Sequence, residues 1–484
     1  MTFHAAPALH ASPAVRTPSR AHPGANPSGS PVLAIDLGSS HVKAALIGRD
    51  GCVVGEAEAP LTTDRGPHGV RQQSIGEWRS ALREVILACT AAGPDVSSRS
   101  SGPAAQPLAA IALTGQMQDL ILLDDHGDPT HPVVLYSDTR ARRELTELLA
   151  ANPSWAPGIA VAPHPDCDSV PPKLLHLART EPQAVAASST AHFSAAGWAA
   201  HALCGAHVCD RLTASTTSAY DPRTDEWLRL RTAEGRPLVP AHLSLPRRVD
   251  PGTVGHASAA AARTFGVPAG TPVVMALGDA GSATDGMVGS AAGSVYLHLG
   301  TTGWVAYVDP EPAEDLQRPA DTGELVDRHR LAHPAGHLVI ARLPEAGEAL
   351  ERARRTLPGT AAPHSPAAHD LAEAALAAAA DDDGAGQANA RDYADAVASM
   401  ASAVAGLLER LGVRPSRLPA TGGVVRSPGV RRMLEDAVGV PLDLIPDAEA
   451  GLVSCARTAF DALGIRHSVL PLVDRADEAD RWTC

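Results

Sequence analysis

One arrangement of hydrophobic and polar positions occurs twice in this chain. Val32-Leu33-Ala34-Ile35-Asp36-Leu37-Gly38-Ser39-Ser40 is an apolar, β-like run that ends in Leu-Gly and two hydroxyl residues, and a second β-like run follows from Val42 to Ile47. Ser294-Val295-Tyr296-Leu297-His298-Leu299-Gly300-Thr301-Thr302 repeats it, followed by Gly303 to Val308. Each copy predicts a hairpin whose turn offers a glycine, backbone N–H groups and two hydroxyls, groups that bind phosphate oxygens without side-chain charge. Two copies far apart, with an acid only in the first, predict two lobes gripping a polyphosphate from both sides.

The remaining pattern is that of an α/β protein. Ile75, Trp78, Leu82, Val85 and Ile86 fall at helical spacing within Ser74 to Thr90 and predict an amphipathic helix. Leu108 to Thr114 reads as a buried strand leading into Gly115-Gln116-Met117-Gln118-Asp119, so polar side chains arrive at a strand end, where ligands of α/β sheets sit. Pro132 to Tyr136 is a further predicted strand, followed by Ser137-Asp138-Thr139-Arg140, and helices are predicted at Ala141 to Ala150, Pro172 to Ala178 and Ala195 to Leu203. Pro272 to Met275 leads into Gly278-Asp279-Ala280-Gly281, and the lobe boundary is expected at about residue 270. Ala346 to Leu357 and Tyr393 to Leu411 look helical, and the Ala/Asp/Gly-rich stretch from Ala361 to Asn389 between them is expected to be loosely ordered. Leu418 to Gly423 is a short extended run ending in a double glycine before a helix from Ser427 to Val438, a place where a nucleotide can lie against the backbone. Pro441 to Ile445 and Ala450 to Leu463 complete the pattern as a strand and a helix.

Length and charge narrow the function classes. A chain of 484 residues is long for one core, so two domains with a ligand cleft between them are expected. The formal charge of -14 and the lack of a dense Lys/Arg run argue against nucleic-acid binding. The seven cysteines are scattered without CxxC pairing, which indicates neither zinc nor a disulfide framework and fits a reducing cytoplasm. Residues 1–30 lack a continuous apolar segment and are expected to form a disordered tail; no stretch is apolar enough to span a membrane.

Taken in order, IDLGSSHVKAALI, LTGQMQDLILLDDHGDP with LYSDTRA, CDRLTASTTSAYDPRTDEW, GDAGSATDG with LHLGTTGWVA, and ATGGVVRSPGVRRMLEDAVGVPLDLI resemble the FGGY carbohydrate kinases, the family of xylulokinase, gluconokinase and glycerol kinase in the actin-like ATPase superfamily. The resemblance implies two actin-like (ribonuclease H-like) lobes with an interlobe cleft, divided into residues 31–270 and 271–484. It implies transfer of the ATP γ-phosphate to a sugar hydroxyl, with D-xylulose the leading acceptor and gluconate or a polyol the alternative. Asp279 matches the catalytic base, Asp36 the Mg²⁺ ligand, and Gln116, Met117, Gln118 and Asp138 positions near the sugar. Gly38, Ser39, Ser40, Gly300, Thr301 and Thr302 match phosphate-binding positions, and Gly422, Gly423 and Ser427 the adenosine side. Plain turn or capping roles are the alternatives for Asp36, Asp279 and the double glycine.

The chain also departs from that pattern. Gln118-Asp119 stands where many relatives have His-Gly, Tyr136 where Trp is common, and Ala280 where xylulokinases commonly have Asn. The family's aromatic, Gly-Glu-Arg-containing loop is not found between Leu350 and Tyr393. The rival function, motivated by that loss, is a catalytically weak nucleotide- or sugar-binding sensor. The expected partners are a sugar and ATP, with a homodimer left open and neither nucleic acid nor membrane involved.

Overall fold

The computed structural model describes residues 29–91, 107–155, 165–300, 302–310, 328–343, 346–357, 359, 366–380, 388–445 and 449–475. Two six-stranded mixed sheets organise it. The first runs Gly252–His256, Pro272–Met275, Ala110–Gly115, Val32–Leu37, His41–Ile47, Val53–Pro60; the second runs Arg328–His333, Gly336–Leu343, Gly303–Asp309, Val295–Leu299, Leu418–Thr421, Leu442–Leu444.

A five-strand unit is common to both. Val53–Pro60, His41–Ile47 and Val32–Leu37 are antiparallel, and Ala110–Gly115 and Pro272–Met275 then join in parallel. Gly336–Leu343, Gly303–Asp309 and Val295–Leu299 are likewise antiparallel, and Leu418–Thr421 and Leu442–Leu444 are parallel. The central strands are near-continuous apolar runs because both of their faces are covered, as parallel sheets require.

After its last parallel strand, each unit enters a helix: Asp279–Val288 in the first, Ala450–Ala462 in the second. These helices cross so closely that a Cβ on Gly286 would stand 1.9 Å from the Ala450 carbonyl oxygen. Each also packs on the opposite unit's first strand, Ala450–Ala462 on Val32–Leu37 and Asp279–Val288 on Val295–Leu299. One apolar cluster accordingly holds Val32, Ala34 and Val274 together with Tyr296, Val453 and Phe460.

Three expectations change here. The boundary near residue 270 falls one strand early, since Pro272–Met275 is hydrogen-bonded into the first sheet. The local pattern contains a break at Gly270 but cannot show which sheet takes the strand that follows. Within the stretch expected to be loose, Pro366–Ala380 is a helix, its Ala372 and Ala375 packed in the second core; alanine is the best intrinsic helix former, and low complexity there reflects helix composition. Cys52 is disulfide-bonded, while Cys89, Cys167, Cys204, Cys209 and Cys455 are free thiols. Disulfides follow tertiary proximity, which sequence spacing does not report. Residues 1–28 of the expected tail lie outside the described residues.

Candidate active site

The two predicted turns are both closed by their glycine. Gly38 N–H donates to the His41 carbonyl at 3.0 Å, and Gly300 N–H to the Thr302 carbonyl at 2.9 Å. Ser40 and Thr302 are left exposed and Ser39 half-buried; Thr301 lies outside the described residues. Behind the second turn sits Gly422, at φ +105°, where a Cβ would meet the Leu299 carbonyl oxygen at 2.2 Å. Only glycine fits that backbone and that contact. Gly300, Gly422 and Gly423 are thereby brought to one place, fixed by the parallel pairing of His298 with Thr421.

Ser427 does not join them. It caps the Pro428–Val438 helix by accepting the Val430 N–H, its hydroxyl donates to Glu373, and the residue is 2% exposed. A Ser followed by Pro at the first helical position is a capping signal, and the cap satisfies the hydroxyl.

Asp36 and Asp279 are half-buried and their charges act on each other. Asp36 Oδ1 is buried with no hydrogen-bond partner, and Oδ2 lies 3.1 Å from where a Cβ on Gly451 would stand. Burial, reinforced by the charge of Glu449 and opposed by Lys43, raises the Asp36 carboxyl to about 6. Asp279 opens its helix and accepts the Ala280 N–H at 2.7 Å; burial and then the Asp36 charge push it up to about 7. A helix N-terminus favours an anion by about 0.3–1 kcal/mol, which is small beside the roughly 4 kcal/mol that a rise from 3.8 to about 7 represents. Desolvation wins, and the carboxylate is poised near neutrality.

Backbone ties hold Asp279 in place. Asp210 Oδ1 accepts both Thr213 N–H at 2.9 Å and Gly278 N–H at 3.1 Å, while Thr114 Oγ and Ser282 Oγ donate to the Leu277 carbonyl at 2.7 and 2.6 Å. Gly278 is also pinned by Met117, whose sulfur would lie 2.2 Å from a Cβ there. Met117 thereby lies against the residue that precedes Asp279.

The strand end at Gln116 is equally ordered. Gln116 Nε2 donates to Gln73 Oε1 at 3.2 Å and its own Oε1 is buried without a partner. Gln118 adopts φ +64° and donates to the Asp168 carbonyl at 3.0 Å and carboxylate at 3.2 Å. Beneath it, the wholly buried Lys173 donates to the Gln118 carbonyl at 3.0 Å, and Asp119 accepts the Tyr136 N–H at 3.0 Å. Burial raises Asp119 and lowers Lys173, and each charge counteracts the shift of the other. Tyr136 itself is 42% exposed. Asp138 is placed differently from expectation: wholly buried, it accepts the Arg71 N–H at 2.6 Å and pairs with Arg140 at 2.6 Å. Its oxygens are occupied, so it braces the loop instead of facing a substrate.

Asp168, Lys173 and Asp210 escaped the sequence reading. Asp210 carried one usable signal, the Asp-x-x-Thr cap of a short helix; the other two reach Gln118 only through tertiary contacts. Among the described residues no group of three His, Cys, Asp or Glu side chains forms a metal cage. A Mg²⁺ ion that keeps its waters needs only one or two carboxylates plus phosphate oxygens, and the orphaned Asp36 oxygen fits that donor set.

Two sheets carrying the same five-strand unit, joined by a crossed pair of helices, have the two-lobed actin-like ATPase fold. The model of the FGGY family of carbohydrate kinases, N-terminal domain, matches residues 31–286, and the chain belongs to that family. Its first-lobe limit lies beyond the Pro272–Met275 strand, in agreement with the sheet. A xylulose kinase of Streptomyces coelicolor is 30% identical over 303 residues, a match covering 60% of this chain and 56% of that protein. The chain therefore matches little more than half the length of that curated relative. The crystal structure of xylulose kinase from Rhodospirillum rubrum superposes with a TM-score of 0.72 at 22% identity, covering 93% of this chain and 96% of that one. Gluconate kinase from Lactobacillus acidophilus gives 0.70 at 16% identity, covering 94% and 96%.

Proposed function

We propose that the protein is an ATP-dependent sugar kinase in which Asp279 takes the proton of an acceptor hydroxyl as that oxygen attacks the γ-phosphoryl group. The observation that carries this is the placement of Asp279: raised to about 7 by burial and by the charge of Asp36, at a helix start whose preceding Gly278 is held by Asp210 and Met117. Phosphoryl transfer needs mainly positioning and charge stabilisation, to which the exposed Ser40 and Thr302 hydroxyls of the two turns and the close approach allowed at Gly422 and Gly423 would contribute. Asp36 would hold Mg²⁺ through water, and the ion when bound supplies positive charge to the β- and γ-phosphates. The lobes meet at the crossed helices and also where Ser215 Oγ accepts the Ala332 N–H at 2.9 Å and where Lys43 pairs with Glu449 at 2.7 Å.

The acceptor we favour is a neutral ketopentose such as D-xylulose, in line with the matched xylulose kinase. Asp168 accepts from Gln118, Asp119 follows it in the chain, and Lys173 is already engaged with the Gln118 carbonyl, so the groups around Gln118 favour a neutral acceptor over a sugar acid such as gluconate. A requirement for ATP favours a cytoplasmic setting, and the Cys52 disulfide argues against it. No helix among the described residues is long and apolar enough to cross a membrane.

ADP release over pentuloses, gluconate, glycerol and other polyols tests the proposal, with Asp279→Ala as control. Stimulation by a pentulose, lost in the variant, is expected. Tight nucleotide binding without stimulation by any acceptor would sink the kinase reading in favour of a sensor.

A further inference from the structure

His298 stands in the second lobe where Asp36 stands in the first, one residue before the Leu-Gly of the turn. Strand alternation decides which way it faces. Leu297 and Leu299 pack into the second lobe's own core with Val305 and Val404, whereas Tyr296, two residues from His298, packs into the cluster between the lobes. His298 therefore lies on the interlobe face at the last position before the glycine.

Its ring is held there. His298 is paired across the ladder with Trp304, and the two rings stack with centroids 3.8 Å apart and planes inclined by 13°. Trp304 Nε1 in turn donates to the Tyr296 hydroxyl at 3.4 Å, and the Asp279 charge acts on Tyr296, so the stack lies near the base. The edge of the imidazole points at the turn: its Nε2 would stand 3.0 Å from a Cβ on Gly300. Burial lowers this imidazole to about 4, which leaves it neutral near pH 7 with one N–H to donate and no charge to bury when the site is empty.

We propose that His298 is a phosphate-binding residue, its imidazole N–H donating a hydrogen bond to an oxygen of the transferring phosphoryl group from the second lobe's turn, with Trp304 fixing the ring. The assignment rests on the kinase reading for the identity of the phosphate, and on the Trp304 stack and Gly300 contact for the geometry. The two lobes then differ in kind: the first offers an acid at this position, the second a neutral donor. A residue that bonds charge developing in transfer acts on kcat more than on acceptor KM.

The test compares His298→Phe, which keeps a ring on Trp304 but removes the N–H, with His298→Gln, which restores a donor. Expected for His298→Phe is a loss on the order of 10²-fold in kcat with the sugar KM unchanged, and partial recovery in His298→Gln. Binding of ADP with aluminium fluoride, a mimic of the group in transfer, is followed by fluorescence of Trp304 against a Trp304→Phe control. It should weaken in His298→Phe more than binding of ADP alone. Equal binding of the mimic by wild type and His298→Phe overturns the assignment. This binding arm needs no turnover, so it decides the role of His298 even where the wild-type protein releases no ADP with any sugar.

Discussion

Asp210 reaches across 68 residues of sequence to accept the backbone N–H of Gly278 at 3.1 Å, immediately before Asp279. The same oxygen accepts Thr213 N–H, so one buried carboxylate fastens the start of a short helix to the start of the helix that carries the base. Asp210→Ala strands both donors, each worth about 1–3 kcal/mol when buried and unsatisfied. The expected result is a fall in melting temperature together with a fall in kcat, read by calorimetry and ADP release; an unchanged kcat at temperatures where the variant is folded would remove Asp210 from any positioning role.

Asp279 works as a base only when ionised, and burial raises it to about 7. For the free enzyme, kcat/KM should climb about tenfold per pH unit below that value and level off above it. Asp279→Asn should lower kcat by about 10²- to 10⁴-fold and abolish this limb of the profile, while ADP affinity, measured calorimetrically, stays close to that of wild type.

Gly422 admits no side chain without moving the second turn. Its φ of +105° is strained for alanine, and the Leu299 carbonyl oxygen occupies the Cβ position. Gly422→Ala should cost more than about 1 kcal/mol of stability and weaken ATP binding by shifting Gly300. Gly412, also at positive φ but with open space around it, provides the comparison: Gly412→Ala meets the backbone penalty alone, so ATP affinity should be retained there.

His192 is wholly buried between His201 and His207, ring centroids 5.1 and 4.6 Å away, and neither of its nitrogens has a partner. Burial lowers its proton affinity far below that of an exposed histidine, and lowers those of His201 and His207 as well. The unfolded chain binds these protons from about pH 6.5 downward while the folded chain refuses them. Their stabilising contribution is thus fully present above that pH and is lost as pH falls, by about 1.4 kcal/mol per pH unit for the wholly buried His192. His192→Phe should be near neutral at pH 7 and more stable than wild type at pH 5, measured by urea unfolding. An identical pH dependence for both proteins would show that His192 does not govern it.

The sequence by itself determined the repeated Leu-Gly hairpins, the strand that delivers Gln116 and Met117, and the placing of Asp279 just after Pro272–Met275, because each is encoded by alternation, helical period or turn chemistry within about twenty residues. It also exposed the asymmetry of Asp36 and His298. Only the tertiary structure decided which sheet receives Pro272–Met275, that Asp138 and Ser427 have their polar atoms occupied by Arg140 and Glu373, and that Lys173, Asp168 and Asp210 support the site. Those contacts join residues 50 or more positions apart or depend on which donor lies nearest. The proton affinities of Asp36 and Asp279 belong to the same class: they arise from burial between two crossing helices, and burial is a property of the packed chain.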